Sequence, residues 1–312
     1  MRARHFGDSD WPTRLATGAG PRLVALDIDG TTVHHDGTLT TRTREAVAAT
    51  AAAGHHVVIA TGRSVLGALP VLADLGLQRG YAVCSNGAVT IALDPRIPDG
   101  YRVLRTETFD PGPVLHRLRA AWPGAQIAVE VLGRGFDVCS DFGPGELEGE
   151  IRIVDSWEEL ASRPATRVTF RSPTGTAQDF VEMAQRLGLH GVNYAVGFTA
   201  WMDIAAEGVS KASALERVRS RLGIAKRRTL AVGDQRNDLE MLSWAACGVA
   251  MGNAPDEVKA VSDLVTGHVQ QDGLATVLEL LAEPAGTASA RLSGLPPVGA
   301  AAQADVSYVT SA

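Results

Sequence analysis

The sequence has 312 residues, of which 45% are hydrophobic and 21% charged, and its formal net charge is −6 at pH 7. This length allows one large domain or two ordinary ones, and this composition is typical of a soluble globular protein. The acidic balance argues against a nucleic-acid-binding protein, whereas a small phosphorylated substrate is compatible with it.

The three cysteines are widely spaced and form no C-x-x-C pair, which predicts reduced thiols and no zinc site. No segment has the pattern of a membrane span, and the first twenty residues lack the apolar core of a secretory signal. We therefore expect a cytoplasmic protein. Residues 1–20 are expected to be a disordered extension, and residues 284–312, which are rich in Ala, Gly, Pro and Ser, a disordered tail.

The first part of the chain alternates predicted strands with predicted helices. An apolar strand over residues 22–28 precedes a helix over residues 41–53. A second strand, over residues 56–60, precedes a helix over residues 65–75, and a third strand follows at residues 81–85. This order is typical of a doubly wound parallel sheet with helices on both faces.

The pattern changes after residue 90, where short alternating strands begin to dominate. They predict a smaller α+β domain over residues 91–195, inserted into the first domain. The earlier pattern then resumes, with a helix over residues 211–222 followed by a strand. We therefore predict an α/β fold in which a core domain comprises residues 21–90 and 196–283.

Polar side chains follow several of the predicted core strands at the point where each strand ends. Asp27 and Asp29 follow the first strand, Thr61 follows the second, and Asp234 and Asp238 follow a later one. Ligands bind beyond the carboxyl ends of the strands in an open parallel sheet. We therefore expect these residues to meet in one crevice.

These residue types are the ones that phosphoryl transfer requires. A carboxylate such as Asp27 can act as the nucleophile and form an aspartyl-phosphate, and Asp29 can protonate the leaving oxygen and later activate water. Mg²⁺ needs few protein carboxylates, which Asp27 and Asp234 can supply. Lys211 and Thr61 can donate hydrogen bonds to the phosphate.

Four motifs, taken in order, resemble those of the haloacid dehalogenase-like (HAD) phosphatases. They are DIDGT at 27–31, TGR at 61–63, Lys211, and GDQRND at 233–238. Three further segments resemble the Cof-type branch of that family, namely SNGA at 85–88, EGVSK at 207–211 and MGNA at 251–254. The resemblance covers roughly residues 22–281 and implies a large α/β cap domain, here residues 91–195.

The resemblance implies Mg²⁺-dependent hydrolysis of the phosphate esters of small metabolites, sugar phosphates among them. It implies that Asp27 is the nucleophile and a metal ligand. Asp29 is then the acid/base and, through its backbone carbonyl, a second metal ligand. Asp234 is the third protein ligand, Asp238 supports the metal site, and Lys211 orients the nucleophile. Contacts to the phosphate or to the rest of the substrate are implied for Thr61, Gly62, Arg63, Asn86 and Asn253.

Each motif alone also has an ordinary structural interpretation, such as a glycine turn for the DIDG segment or a solvated first-turn residue for Lys211. Their combination in order favours an enzyme. A phosphosugar mutase stays open as an alternative, as does a catalytically silent protein that binds a phosphorylated metabolite and regulates a partner. No nucleic-acid or membrane partner is expected, and the sequence indicates no particular substrate or oligomeric state.

Overall fold

Two β-sheets organise the part of the chain that the structure describes. The structure is a computed structural model, and it describes residues 4–5, 20–143, 146–172, 174–176, 178–180, 182–183, 192–196 and 201–282. Among these residues the larger sheet has nine strands and the smaller sheet has six. The larger sheet forms the core, and the smaller one forms the inserted domain.

The larger sheet is mainly parallel. Its strands, in order across the sheet, are β1 (Arg4–His5), β15 (Leu264–Val265), β14 (Cys247–Ala250), β13 (Thr229–Gly233), β2 (Leu23–Leu26), β3 (His56–Ala60), β4 (Gly80–Cys84), β5 (Val89–Leu93) and β6 (Tyr101–Thr106). Neighbours from β1 across to β4 are parallel, and β5 and β6 continue the sheet in antiparallel pairing. The chain advances from β2 to β4 on one side and from β13 to β15 on the other. A crevice therefore opens at the carboxyl ends of β2 and β13, where the strand order reverses.

Both faces of this sheet are apolar because side chains alternate along each strand. On β2, Val24 and Leu26 face one helical layer, and Leu23 and Ala25 face the other. Two covered faces explain why the central strands read as continuous apolar runs. The first layer contains α1 (Thr41–Ala52), α2 (Val65–Asp74) and α8 (Gly273–Ala282), and the second contains α5 (Lys211–Arg221), α6 (Leu239–Trp244) and α7 (Asp256–Val261).

Side-chain caps fix where the core helices begin. The Thr40 hydroxyl accepts a hydrogen bond from the backbone N–H of Thr43 at the start of α1 (3.1 Å). At the start of α5, Ser210 and Ser213 form a reciprocal capping box. This box fixes Lys211 as the first residue of α5, at the end of the helix that lies nearest the crevice.

Among the described residues, helices cover only one face of the smaller sheet. Its strands, in order, are β11 (Val192–Val196), β12 (Trp201–Ala206), β10 (Val168–Arg171), β7 (Gln126–Val131), β8 (Gly135–Val138) and β9 (Glu150–Ile153). Val168 and Phe170 of β10 pack on this covered face with the helices α3 (Gly112–Ala121) and α4 (Trp157–Ala161). Because side chains alternate, Arg167 and Thr169 point to the opposite face, which is turned toward the core.

The fold confirms the predicted α/β class, but the chain changes sheets later than expected. Residues 89–106 belong to the larger sheet, and Trp201–Ala206 to the smaller one, so sheet membership changes after the expected boundaries at 90/91 and 195/196. The apolar alternation of these strands is the same whichever sheet they join, so the sequence pattern does not locate the crossing points.

The chain ends fall largely outside the described residues. Arg4 and His5, within the expected disordered extension, pair with β15, which differs from the expectation for these two residues. The rest of the segment 1–19 and the expected tail at 284–312 lie outside the described residues. No helix in the described ranges is long and apolar enough to cross a membrane.

A close backbone approach joins the end of β4 to the start of α5. The chain turns after β4 through a 3₁₀ turn at Ser85–Gly87, in which Gly87 has a φ of 104°. A Cβ atom at Gly87 would lie 2.1 Å from the carbonyl oxygen of Ser210. Glycine is therefore required both for the backbone angle and for contact with the helix that carries Lys211.

We expect Gly87→Ala to destabilise the protein more than Gly80→Ala. Gly80 has nearly the same φ, 108°, but a Cβ there would meet no atom within 4 Å. Gly80→Ala should therefore cost only the backbone strain, about 1–2 kcal/mol. Gly87→Ala should cost about 1–3 kcal/mol more, because the added methyl group overlaps the backbone of Ser210. Urea unfolding of both variants measures the difference, and equal losses would contradict this account.

Candidate active site

A buried lysine links two carboxylates at the centre of the crevice. Asp27 directly follows β2, and its N–H donates to the carbonyl of Val232 (3.1 Å), which extends the sheet by one residue. The Lys211 ammonium donates to Oδ1 of Asp27 (2.7 Å) and to Oδ1 of Asp238 (2.8 Å). Asp27 is 3% exposed and Lys211 is 1% exposed, so these charges interact with little screening by water.

A third carboxylate, that of Asp234, lies beside the loop that follows Asp27. Thr31 Oγ1 donates to its Oδ1 (2.9 Å), and the Asn253 amide donates to its Oδ2 (3.0 Å). Gly30 has a φ of 79°, and a Cβ there would lie 2.3 Å from Oδ2 of Asp234. The glycine of the DIDG segment therefore allows Asp234 to come close to Asp27.

Asp238 organises the loop after β13. Its Oδ2 accepts hydrogen bonds from the backbone N–H groups of Asp234 and Gln235, both at 3.0 Å, while its Oδ1 accepts from Lys211. Both oxygens of Asp238 are thus already engaged by protein donors. This arrangement fits the expected supporting role of Asp238 better than that of a direct metal ligand.

The cluster holds more negative than positive charge. One oxygen from each of Asp27, Asp234 and Asp238 lies within 4.8 Å of the others, and one ammonium, that of Lys211, contacts Asp27 and Asp238. Burial raises the pKa of Asp27 to about 7, with Asp238 adding to the shift and Lys211 opposing it. Burial and the charge of Asp27 raise the pKa of Asp234 to about 8.

The pKa of Lys211 is raised, which keeps its ammonium group charged. Burial acts to lower this pKa, but the carboxylates of Asp238 and Asp27 outweigh burial and raise it above the ordinary value for lysine. When all three carboxylates are ionised, the single ammonium leaves two negative charges without a counter-charge in the cluster. A divalent cation could supply that counter-charge.

The donor set fits Mg²⁺. This ion prefers oxygen ligands and retains several water molecules, so it needs few protein carboxylates. Asp27 has one oxygen, Oδ2, that is not bonded to Lys211, and each oxygen of Asp234 accepts one hydrogen bond and can accept more. Asp27 and Asp234 are therefore the side chains that could hold the ion, and the backbone carbonyl of Asp29 is the further ligand expected from the sequence.

The predicted phosphate-binding segment lies beside Asp27, at the end of the neighbouring strand β3. Thr61 is fully buried, and its hydroxyl accepts a hydrogen bond from the N–H of Arg63 (3.0 Å). The Arg63 guanidinium binds both carboxylate oxygens of Asp29, at 2.9 and 2.5 Å. Arg63, expected at the substrate, thus holds the predicted acid/base in this structure.

The two predicted asparagines also lie in the crevice, with their amides bonded to protein groups. Asn86 accepts from the Asn237 amide (2.9 Å) and donates to Asp203 (3.2 Å). Asn253 donates to the carbonyl of Gly30 (2.8 Å) and to Asp234, and it accepts from a backbone N–H. Direct contact of these residues with substrate stays a prediction, whereas their contacts within the site are observed.

Several residues at the crevice were not singled out by the sequence. Thr31 and Asn237 lie within the quoted motifs, but nothing in the motifs alone assigned them a contact. Three charged residues of the smaller sheet, Glu130, Arg167 and Asp203, also reach the core. A charge that alternates with apolar residues on a strand was their only signal, and that pattern normally indicates a solvated face.

Comparison with known protein families identifies one matching family model. Residues 24–107 and 147–278 match the model described as haloacid dehalogenase-like hydrolase. The matched residues include the crevice and both ends of the inserted domain.

Curated relatives with similar sequences are phosphatases. The pyridoxal phosphate phosphatase YbhA of Escherichia coli is 30% identical over 280 residues, which cover 81% of this chain and 96% of the relative. The 5-amino-6-(5-phospho-D-ribitylamino)uracil phosphatase YcsE of Bacillus subtilis is 26% identical over 271 residues, which cover 82% and 94% of the two chains.

Solved structures agree with these relatives. The sugar phosphatase BT4131 of HAD subclass IIB matches with a TM-score of 0.70 and 26% identity, over 83% of this chain and 98% of that one. The phosphatase BT1666 from Bacteroides thetaiotaomicron matches with a TM-score of 0.67 and 25% identity, over 85% and 98%.

We expect Lys211→Met to destabilise the protein when no divalent cation is present. The change leaves the buried carboxylates without their ammonium, and breaking a buried ion pair costs about 3–5 kcal/mol. Urea unfolding at pH 8 with a chelator measures the loss. Lys226→Met, which removes a lysine that is 51% exposed, is the control and should cost less than about 1 kcal/mol. Similar losses for the two variants would show that the cluster does not depend on Lys211.

We also expect Mg²⁺ to stabilise the protein more at pH 8.5 than at pH 5.5. The pKa values of Asp27 and Asp234 in the folded protein, about 7 and 8, lie above the ordinary value of 3.8. At a pH between the ordinary and the raised values, the metal-free folded state therefore binds more protons than the unfolded state. Metal-free stability therefore falls as the pH rises through this range, and the ionised carboxylates then bind the cation.

Thermal unfolding with and without Mg²⁺ at the two pH values measures this effect. A bound ion stabilises only the folded state, so Tm should rise with Mg²⁺ concentration. Asp234→Asn should remove most of the shift. An equal shift in Tm at both pH values would contradict the proton competition on which the expectation rests.

Proposed function

This chain belongs to the haloacid dehalogenase-like hydrolases, in their Cof-type phosphatase branch, and we propose that it hydrolyses a small phosphorylated metabolite with Asp27 as the nucleophile. The observation that carries the proposal is the buried cluster in which Lys211 binds Asp27 while two negative charges have no counter-charge. A nucleophilic carboxylate and a cation site thus adjoin each other, as phosphoryl transfer requires.

In the first step, a carboxylate oxygen of Asp27 attacks phosphorus. Lys211 fixes the orientation of the carboxylate, which lowers the entropic cost of reaching the reactive geometry. Thr61, at the end of the adjacent strand, donates a hydrogen bond to a phosphate oxygen. The bond between phosphorus and the leaving oxygen breaks, and Asp29 gives that oxygen its proton.

In the second step, Asp29 acts as a base. It takes a proton from water, the water oxygen attacks phosphorus of the aspartyl-phosphate, and the bond to Asp27 breaks to release inorganic phosphate. Arg63 holds the Asp29 carboxylate at 2.9 and 2.5 Å, which supports a position of Asp29 at the mouth of the crevice. The side chain of Asp29 is 48% exposed, so water can reach it.

We propose that the cofactor is Mg²⁺, held by Asp27, Asp234 and the backbone carbonyl of Asp29, with Asp238 supporting the site. When bound, the ion screens the repulsion between the phosphate and the carboxylates that surround it. Thr31 and Asn253 hold Asp234 in the orientation that this role needs.

The relatives and the inserted cap domain support a class of substrate. The relatives act on pyridoxal phosphate, a ribitylamino-uracil phosphate and a sugar phosphate. The face of the cap sheet that is turned toward the core carries charged side chains, among them Glu130, Arg167 and Asp203. We propose a sugar phosphate or a similarly polar metabolite. A panel of phosphorylated metabolites, assayed for free phosphate and for isomerised product, tests this and separates a phosphatase from a mutase.

We expect Asp27→Asn to abolish Mg²⁺-dependent hydrolysis of p-nitrophenyl phosphate, with a loss on the order of 10³-fold or more, because an amide cannot act as this nucleophile. A chelator should abolish the activity of the wild-type protein. Asp74→Asn, which alters an exposed carboxylate at the end of α2, is the matched control and should keep full activity. Phosphate release measures each rate, and full activity of Asp27→Asn would exclude this mechanism.

A further inference from the structure

Three successive carbonyl groups in the phosphate-binding segment are held by donors from outside the segment. The carbonyl of Thr61 accepts from the N–H of Asn86 (3.0 Å), and that of Arg63 accepts from the N–H of Ser85 (2.8 Å). The carbonyl between them, that of Gly62, accepts from Nη1 of Arg167 (2.5 Å). The first two donors belong to the core, whereas the third belongs to the cap domain.

Arg167 also holds two carboxylates of the cap. Its side chain is 6% exposed, its Nε donates to Oε2 of Glu130 (3.2 Å), and its Nη1 lies 3.5 Å from Oδ2 of Asp203. The Glu130 side chain is 2% exposed, so the pair is shielded from water. One guanidinium therefore fixes the positions of both carboxylates on the face that meets the core.

These two carboxylates bind the same core turn that supports the phosphate-binding segment. Ser85 Oγ donates to Oε1 of Glu130 (2.9 Å), and the Asn86 amide donates to Oδ2 of Asp203 (3.2 Å). Ser85 and Asn86 have φ values of 51° and 53°, in a backbone region that residues other than glycine rarely adopt. Such a turn persists when surrounding contacts over-determine it, and here two of these contacts come from the cap.

We propose that Arg167 is a positioning residue that makes closure of the cap complete the phosphate-binding segment. This inference rests on the proposed phosphatase function. With the cap closed, Arg167 supplies the donor for Gly62 and holds the acceptors for Ser85 and Asn86. With the cap open, all three contacts are lost together, because they cross from one domain to the other.

The consequence for catalysis concerns the proton of the leaving group. Gly62 immediately precedes Arg63, whose guanidinium binds Asp29, the acid of the first step. A displaced segment therefore misplaces Asp29. An alkoxide leaving group needs a proton from Asp29, whereas p-nitrophenolate is stable enough to leave without one. Loss of Arg167 should thus affect alkyl phosphates more than p-nitrophenyl phosphate.

The test compares Arg167→Met with Arg171→Met in the full-length protein with Mg²⁺. Arg171 lies on β10, which begins directly after Arg167, but the partners of Arg171, Gln126 and Glu146, are both in the cap. For the best alkyl phosphate of the metabolite panel, we expect kcat of Arg167→Met to fall about 10²-fold, as misplacement by about 1 Å does. For p-nitrophenyl phosphate the fall should be less than about 10-fold. Arg171→Met should change neither rate, and Arg167→Lys, which keeps the charge, should recover part of kcat.

Two further measurements keep the inference testable if Arg167→Met folds poorly. Ser85→Ala removes only the hydroxyl that binds Glu130. It should lower kcat for the alkyl phosphate more than for p-nitrophenyl phosphate, as Arg167→Met does, but by a smaller factor. Amide hydrogen exchange without substrate should be faster at Ser85 and Asn86 in Arg167→Met or Arg167→Lys than in Arg171→Met.

The outcomes separate the inference from the function on which it rests. Equal losses on both substrates together with unchanged exchange at Ser85 and Asn86 would overturn the role of Arg167. A wild-type protein that hydrolyses no phosphate ester would overturn the proposed function instead, and hydrogen exchange would still decide whether Arg167 secures the turn.

Discussion

The buried ammonium of Lys211 is the interaction on which the rest of the site depends. An isolated carboxylate is costly to bury, and three lie together here, so the cluster requires cations at fixed positions. Lys211 supplies one charge at the start of α5, and the capping box at Ser210 fixes the helix there. Gly30 and Gly87 then let the chain approach closely enough for the charges to meet. The electrostatic arrangement thus sets where the neighbouring helix and turns must lie.

The fold of the core could be predicted from the sequence because its signals are local. Apolar runs of strand length separated by capped helices indicate a parallel sheet covered on both faces, and the ends of β2, β3 and β13 then define the crevice. The crossing points between the two sheets were not predicted correctly. The sequence pattern of strand β12 does not assign it to either sheet, and its pairing with β10 and β11 places it in the cap. Such pairing depends on distant segments, which a local pattern does not reveal.

In the candidate site, too, local sequence signals predict some features and long-range contacts decide the others. Asp27, Thr61 and Asp234 could be predicted because each directly follows a strand, so the sheet alone brings them together. The side-chain partners of Arg63, Asn86 and Asn253 could not be predicted, because rotamers and long-range contacts decide them. Their amide and guanidinium groups bind Asp29, Asp203 and Asp234, which gives them a part in organising the site whether or not they also touch substrate.

The contacts that Glu130, Arg167 and Asp203 make with the core are polar, and this suits a surface that must open. Substrate must enter and product must leave, so closure has to be reversible. A buried ion pair contributes little net stability, because the cost of desolvation offsets much of the attraction, whereas an apolar interface of the same size would favour the closed state strongly. Arg167 pairs with both Glu130 and Asp203 within the cap, so opening would not separate these three charges from one another. The polar contacts therefore define the geometry of closure without making it permanent.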